Sequence, residues 1–415
     1  MTEALGTATP PTSMRLLLKG RFGWFFAGRT VDLAGSSMTT TALALAVLQA
    51  SGRAGDLGIV LAANLVPTLV LLLVGGAVAD RMSRRTLLIS ANLASGALMA
   101  ALAALLLAHR YSLTYVALLS FGTGVVGAFT SPALRGIVPE LVARDGLQRA
   151  NALLATSQNS ARILGPVLAS VLVSTVGGGW AVAVDALSFW LAALAFTRIP
   201  GATRPPAARQ ALWRDLLDGW SVFRSLHWVV VMTVGFALGN AFNVGPLNVL
   251  GPQVIAGRDG ATGWGFVQAA RAAGLLAMSL VAVRMVLRRP LRDGRIWGTL
   301  SALPLLALGL SGRAWVVAPA AFLGGLGFSL AAITWESTLQ QSVPTESLSR
   351  VTAYDDLLSF VAIPVSQLAV GPLGAAYGAR TICTLCGIGY LAACLLPLLN
   401  TYVRTQHSPA GQPSS

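Results

Sequence analysis

The stretch that decides the fold is Gly75-Gly76-Ala77-Val78-Ala79-Asp80-Arg81-Met82-Ser83-Arg84-Arg85. Before it, residues 57–74 are apolar except for Asn64, Pro67 and Thr68, and residues 87–108 after it are again predominantly apolar. Each flanking run is long enough to cross a bilayer, which takes about 20 residues. One acid and three arginines between them form a short cationic turn. Short cationic loops remain on the cytoplasmic side of a membrane, so this turn predicts the orientation of the chain.

The composition is that of a membrane protein. The 415 residues are 55% hydrophobic and 11% charged, with a mean hydropathy of +0.70, whereas soluble domains carry about 25% charged residues. A net charge of +14 is also typical of proteins that bind nucleic acids. However, the arginines are distributed among loops instead of forming one basic face. Cationic loops against an anionic inner leaflet explain the charge, and we expect no nucleic-acid partner.

Twelve apolar runs, each near the length that a bilayer requires, predict twelve membrane-spanning helices. The fifth, ninth and eleventh runs are interrupted by Ser, Thr, Gln or Pro. The runs are 22–48, 57–79, 87–108, 114–135, 152–176, 180–197, 228–250, 262–287, 296–310, 314–339, 357–377 and 380–403.

The distribution of cationic residues predicts both termini on the cytoplasmic side. Twelve spans place the termini on one side, and the segments of that side hold 22 of the 29 Lys and Arg residues, including Arg162 and Arg295. The loops of the other side hold 5. This bias follows the positive-inside rule. The near-exclusive use of Arg and the abundance of Ala suggest a bacterial inner or plasma membrane.

An internal repeat divides the chain into two halves. Val138-Pro139-Glu140 and Gly165-Pro166 recur as Val343-Pro344-Thr345-Glu346 and Gly371-Pro372, 205 to 206 residues later. We therefore predict an all-α membrane protein with 12 transmembrane helices in two pseudo-symmetric six-helix bundles. Its predicted parts are an N-terminal half at 1–199, a cytoplasmic linker at 200–227 with a surface helix near 212–223, a C-terminal half at 228–404 and a disordered tail at 405–415.

With these features in place, the chain resembles the major facilitator superfamily over essentially its whole length. The opening stretch matches the superfamily motif G-x-x-x-D-R-x-x-R-R between helices two and three. The resemblance implies that Asp80, Arg81 and Arg85 hold the two halves together on the cytoplasmic side, and that Gly76 permits close helix packing. Asp355 and Asp356, which we expect to open helix eleven, could receive loop arginines or stabilise the helix N-terminus, and we interpret them as partners in this cytoplasmic gate.

A second resemblance concerns the fifth helix. Gly165-Pro166 is similar to the antiporter motif of drug exporters, but the two glycines that normally follow are Ala169 and Ser170 here. A longer run, from Arg135 to Asp185-Ala-Leu-Ser-Phe189, resembles the branch of enterobactin-type siderophore exporters and macrolide efflux proteins. The arginine that many exporters carry in helix four is absent between residues 114 and 132. Coupling therefore cannot be carried over to that position.

Charged residues within the bilayer are candidates for function because their insertion costs at least about 2.5 kcal/mol. Arg29 and Asp32 lie three residues apart on one face of the first helix, within reach of each other. Asp32 could exchange protons or meet a cationic substrate, with Arg29 tuning its pKa, or the pair could only fix helix packing. Asp185 is expected to begin helix six and to cap it.

Other polar residues could line a substrate cavity or form hydrogen bonds between helices. The candidates lie on helices five, seven and eight and are Asn159, Arg162, Asn240, Asn243, Gln268 and Arg271.

No enzymatic site is expected. Only three histidines occur, all in loops or the tail, and Lys19 is the sole lysine, so neither a His-based metal site nor a phosphate-binding loop is predicted. We expect no cofactor, and an ion gradient as the energy source.

The sequence thus predicts a monomeric secondary active exporter of hydrophobic or amphipathic small molecules, such as an antibiotic, a siderophore or a secondary metabolite, by proton antiport. An importer or facilitator of a small polar nutrient and a non-transporting membrane scaffold remain as alternatives.

Overall fold

The computed structural model describes residues 20–79, 83–142, 146–199, 220–282, 284–285 and 287–406. Residues 200–219 of the predicted linker and 407–415 of the predicted tail lie outside the described residues. Of the surface helix predicted near 212–223, residues 220–223 are described and are helical.

Long helices make up the first half of the chain. This is the expected result in a bilayer, because a helix satisfies its backbone N–H and C=O groups internally where no water is present. The six helices are α1 (Arg21–Ser51), α2 (Ala54–Ala79), α3 (Arg84–Leu107), α4 (Leu113–Leu141), α5 (Leu147–Thr175) and α6 (Gly178–Thr197).

The second half contains one very long helix and several interrupted ones. Its helices are α7 (His227–Ala282), α8 (Pro290–Gly298), α9 (Leu303–Leu310), α10 (Ala314–Ser342), α11 (Thr345–Phe360), α12 (Ala362–Tyr377), α13 (Ala379–Leu395) and α14 (Thr401–Thr405). Gly260, at φ 71° and ψ −179°, breaks α7 into two arms. A positive φ is readily adopted only by glycine, so Gly260 permits the chain to turn back there.

These helices account for the twelve predicted crossings. Nine helical segments in the described ranges are long and apolar enough to cross a membrane, and one of them is the 56-residue α7, which contains two crossings. The other two crossings are α5 and the α8–α9 pair, which correspond to two of the interrupted runs. The eleventh run corresponds to α11 and α12 together.

Two predicted boundaries are wrong. The ninth run was expected to begin at residue 296, but α8 begins at Pro290, so Arg295 is a helical residue and not a loop residue. Proline is common in the first turn of a helix, where a backbone N–H has no partner within the helix. Helix eleven begins at Thr345 after Pro344, so Asp355 and Asp356 lie in its third turn and do not open it.

The helices pack as two bundles that meet mainly through two helix pairs. In the first bundle, α1 packs against α5 and α6, α2 against α4, and α3 against α4 and α6. In the second bundle, α7 packs against α10, α12 and α13, while α8 packs against α10 and α9 against α13. Between the bundles, α2 contacts α12 and α5 contacts α7.

The two ends of this assembly differ in how the bundles are joined. We call the end that carries Arg21 and His227 the terminal end, and the end that carries the turns at Gly52 and Gly378 the far end. At the far end one apolar core contains residues of both bundles, including Met38 and Trp264. At the terminal end each bundle has a separate core. Among the described residues, the halves are therefore closed against each other at the far end only.

Glycines permit the closest contacts at the far end. A methyl group at Gly58 on α2 would overlap with the backbone carbonyl of Gln367 on α12. A methyl group at Gly265 on the second arm of α7 would overlap with the Ser170 side chain of α5. Backbone atoms cannot rotate away as a flexible side chain can, so the α2–α12 contact depends directly on Gly58.

We expect Gly58→Ala to separate α2 from α12 and to open the far end. Overpacking costs about 1–3 kcal/mol, so a cysteine placed at buried Met38 should react with a maleimide about tenfold faster in this variant. The measurement is the labelling rate of Met38→Cys in a background from which Cys383, Cys386 and Cys394 have been removed.

Gly127→Ala on α4 is the matched control, because a methyl group there meets no atom within 4 Å. Equal labelling rates in Gly58→Ala and Gly127→Ala would show that the far end does not depend on this contact.

Candidate functional site

A buried ion pair lies on α1. The Arg29 guanidinium binds the Asp32 carboxylate, as the three-residue spacing predicts. The Ser36 hydroxyl donates a hydrogen bond of 3.3 Å to the other carboxylate oxygen. Asp32 is only 5% exposed. The pair is thus formed within one helix, and Arg29 is the cation that neutralises Asp32 there.

Asp185 does not cap α6, and that prediction is wrong. The N-cap is Gly177, and Asp185 follows it by two turns. The Asp185 side chain contacts α1, where Thr39 donates a hydrogen bond to one carboxylate oxygen. Gly35 allows this approach, because a methyl group at Gly35 would lie 2.6 Å from the other carboxylate oxygen. The sequence could not predict this contact, since the partner lies 146 residues away.

A cavity of about 420 Å³ lies in the first bundle, between α1, α4 and α5. Arg29 lines it from α1, and Asn151 and Gln158 line it from α5. The remaining wall is apolar and is formed by Phe25, Leu33, Leu134, Val138 and Leu154. Arg29 thus borders an open space while its guanidinium is bound to Asp32.

Asn159 and Arg162 lie on the face of α5 that approaches the second bundle. Arg162 lies four residues before Pro166, one helical turn, and the Pro166 carbonyl is next to Gly265 of α7. Arg162 is exposed, and within the described ranges neither it nor Asn159 forms a hydrogen bond in the chain. Their position beside the cleft between the bundles keeps both as candidates for substrate contact.

The antiporter-like motif packs through small residues on both of its sides. Gly165 lies against Ser37 of α1 so closely that a methyl group would overlap with it. Ser170 donates a hydrogen bond of 2.7 Å to the Pro166 carbonyl and contacts Gly265 of α7. The glycine that permits this contact is therefore on α7, which explains how Ser170 can replace the expected glycine on α5.

A second cavity, of about 280 Å³, lies in the second bundle between α7, α8, α10, α11 and α13. Asn240 and Asn243 both line it, as predicted for cavity residues, and donate hydrogen bonds of 2.9 Å to the carbonyls of Ser359 and Ser301. Its aromatic walls are formed by Phe236, Phe328, Trp335, Phe360 and Tyr390.

Asp355 lies inside this second cavity and not at a loop. Its carboxylate accepts hydrogen bonds from Thr233 at 2.6 Å and from the Trp335 indole at 2.8 Å. The Ser359 hydroxyl lies 3.4 Å away. None of these partners is an arginine, and Arg81 of the cationic turn lies outside the described residues, so the gate role of Asp355 stays a prediction. Asp356 also lines the cavity.

Arg295 is a functional candidate that the sequence analysis missed. It is 4% exposed, and its guanidinium donates to the carbonyls of Ala393 and Cys394 at 2.6 and 3.1 Å. It also lies 4.8 Å from the centre of the Phe236 ring. Its position directly before an apolar run was the only sequence signal. Because its N–H groups bind protein carbonyls, Arg295 supports the cavity wall.

Gln268 and Arg271 lie on the second arm of α7, and neither lines the second cavity. The Arg271 guanidinium is 5.9 Å from the centre of the Phe328 ring, which lines that cavity. The Gln268 carbonyl oxygen is buried and has no hydrogen-bond partner among the described residues. A buried unpaired acceptor is costly, so Gln268 is a candidate for a group that binds a ligand.

The described part of the cationic turn contacts the first bundle. Arg84 forms an ion pair with Glu140 of α4 at 2.9 Å. Arg85 donates a hydrogen bond of 2.7 Å to the carbonyl of Thr197 on α6. Asp80 and Arg81 lie outside the described residues. Gly76 belongs to α2, but its surroundings also lie outside what is described.

Comparisons with known proteins agree with this architecture. The family model of the Major Facilitator Superfamily matches residues 25–366. The multidrug efflux pump Tap of Mycolicibacterium fortuitum is 28% identical over 379 residues, which cover 85% of this chain and 88% of that protein. The enterobactin exporter EntS of Escherichia coli O127:H6 is 25% identical over 335 residues, 79% of each chain.

Solved structures show the same fold at low sequence identity. A mutant of the nucleoside transporter NupG has a TM-score of 0.76 at 10% identity and covers 91% of this chain and 98% of its own. A bacterial homologue of the human lysosomal transporter Spinster has a TM-score of 0.72 at 12% identity, covering 96% of this chain and 100% of its own. The family match spans well over half of the sequence, and the chain therefore belongs to the Major Facilitator Superfamily.

Proposed function

We propose that this chain is a secondary active exporter that moves amphipathic small molecules out of a bacterial cell in exchange for protons. The observation that carries the proposal is the arrangement of the two bundles, which share a core at the far end and separate at the terminal end. Such an arrangement is one state of an alternating-access cycle. The names of the relatives, a multidrug efflux pump and an enterobactin exporter, favour the outward direction.

In this proposal, the orientation of the chain in the membrane is inferred from its cationic loops. They place the terminal end, and with it both chain termini, in the cytoplasm. The described state is then open to the cytoplasm and closed to the outside, as is needed to load a substrate for export. In the opposite state we assign Gly76, Asp80, Arg81 and Arg85 to the cytoplasmic gate, with Asp356 as a candidate partner. One chain supplies both sides of the cleft, so a monomer is sufficient.

The second cavity supports an amphipathic substrate. Most of its surface is apolar and aromatic, and Asn240, Asn243, Arg295 and Asp355 in its wall are already bonded within the protein. Other polar residues that line it are Glu336, Thr352, Asp356 and Ser359. Binding sites for drug-sized molecules commonly combine an apolar lining with a small number of polar groups that fix orientation. Antibiotics, siderophores and other secondary metabolites have this character, whereas a small polar nutrient would be matched by more hydrogen-bonding groups.

Protons are the proposed coupling ion, because the membrane-buried acids can bind and release them. Asp32 is the first candidate, since it is buried beside a cavity and is neutralised by Arg29. Opening of this ion pair during the cycle would leave an ionised carboxylate in a poorly solvated place, where proton uptake is favoured. Transport requires no enzymatic step and no cofactor in this scheme.

The coupling proposal predicts a loss of proton flux in Asp32→Asn. In proteoliposomes, a transported compound should drive proton movement with the wild-type protein and at least about tenfold less with Asp32→Asn, while binding is retained. The panel of compounds contains macrolides, cationic dyes and siderophores, and the readout is a pH-sensitive dye. Asp293→Asn, at an acid of α8 that pairs with neighbouring Arg292, is the control. Unchanged flux in Asp32→Asn would return Asp32 to a packing role.

The cavity proposal predicts weaker binding in Phe328→Ala. Loss of one aromatic contact removes about 1–2 kcal/mol, so the Kd of a transported compound should rise about tenfold. Phe266→Ala on α7 is the matched control, since Phe266 is largely exposed on the surface and does not line the cavity. Binding is measured by isothermal titration in detergent. Equal affinities of the two variants would place the substrate elsewhere.

A further inference from the structure

Asp185 is a membrane-buried carboxylate to which the proposed function assigns no task. It is 1% exposed and lies in the middle of α6. Its hydrogen-bond partners are hydroxyl groups, Thr39 of α1 and Ser188 of α6 at 3.4 Å. Among the described residues, no Arg, Lys or His forms an ion pair with it.

The helices that pack against α6 are α1, α3 and α5, and their charges decide how Asp185 can be neutralised. On α1 the nearest cation, Arg29, is already bound to Asp32. On α3 the charged residues are Arg84 and Arg85, both at the terminal end. Arg85 contacts Thr197 of α6, which lies about 18 Å along α6 from Asp185. On α5, Arg149 and Arg162 are both exposed. This region therefore has two buried acids and one partly buried arginine.

Protonation of Asp185 removes this excess of negative charge. An ionised carboxylate without a cation is strongly disfavoured away from water, whereas a protonated carboxyl group can remain there and donate a hydrogen bond to a hydroxyl. Asp185 approaches α1 at Gly35, about one helical turn from Asp32, so the charge of Asp32 acts on Asp185. Loss of the proton from Asp185 would thus add a second negative charge beside Asp32, while Arg29 could neutralise only one of them.

We propose that Asp185 is a proton-binding residue of the transport cycle, which holds its proton while Arg29 neutralises Asp32. The proposal rests on the proposed proton-coupled export. The carboxyl group releases one proton to water on one side of the membrane and, as a carboxylate, takes up one proton on the other side. The ionised state repels Asp32 and competes for Arg29, so proton release is linked to rearrangement of α1 against α6.

The test counts the protons that the purified wild-type protein releases when it binds a transported compound, with a pH indicator in a weakly buffered solution. Asp185→Asn should bind the compound but release at least about tenfold fewer protons, and uphill transport driven by a pH gradient should fall equally. Asp185→Glu should restore release. Asp293→Asn, the same chemical change outside the bundle core, should behave as the wild type.

A second variant tests the proposal even if Asp185→Asn does not fold. Thr39→Val keeps the carboxyl group but removes its hydroxyl partner, and should shift the pH midpoint of proton release by about half a unit or more. A purely structural Asp185 would leave this midpoint unchanged.

The outcomes separate the two proposals. If the wild type transports the compound without proton movement, the antiport proposal and this inference fail together. If the wild type releases protons and Asp185→Asn releases the same number, antiport stands and the role of Asp185 is overturned. An unshifted midpoint in Thr39→Val would also count against Asp185.

Discussion

The cost of an ionised side chain away from water is the constraint on which the rest of this structure depends. A charge at the centre of a bilayer costs at least about 2.5 kcal/mol, and the buried charges here each have an arrangement that reduces this cost. Arg29 and Asp32 neutralise each other, Arg295 is bound by two backbone carbonyls, and Asp355 accepts from a hydroxyl and an indole. The Arg295 contacts join α8 to α13 and the Asp355 contacts join α11 to α7 and α10, whereas the Arg29–Asp32 pair lies within α1.

The same constraint explains what the sequence could predict. Runs of about 20 apolar residues have few structural options in a membrane, so the twelve crossings and the two bundles followed from length, repeat and hydropathy. The Arg29–Asp32 pair was also predictable, because both residues lie on one helix. Asn240 and Asn243 line a cavity, in keeping with the tendency of polar residues on a membrane helix to avoid lipid, and their contact with substrate stays a prediction.

Residues whose partners come from distant parts of the chain were not predictable. Asp185 was expected to be a helix cap, but its partner Thr39 lies on α1. Arg295 was counted as a loop arginine, yet it binds carbonyls of α13, nearly one hundred residues away. Asp355 was expected to open helix eleven, but α11 begins ten residues earlier and places it in a cavity. In each case the partner depends on how helices pack, which local hydropathy does not determine.

The two bundles are closed against each other at one end, and distances between α5 and the second arm of α7 report this closure. Spin labels at Ser174 and Thr262 report the far end, and labels at Ala152 and Val281 report the terminal end, in each case from exposed positions. Without substrate, the account predicts a short far-end distance and a longer terminal-end distance. Under turnover with substrate and a proton gradient, a population with the opposite pattern should appear. Two distances that lengthen or shorten together would contradict alternating closure of the two ends.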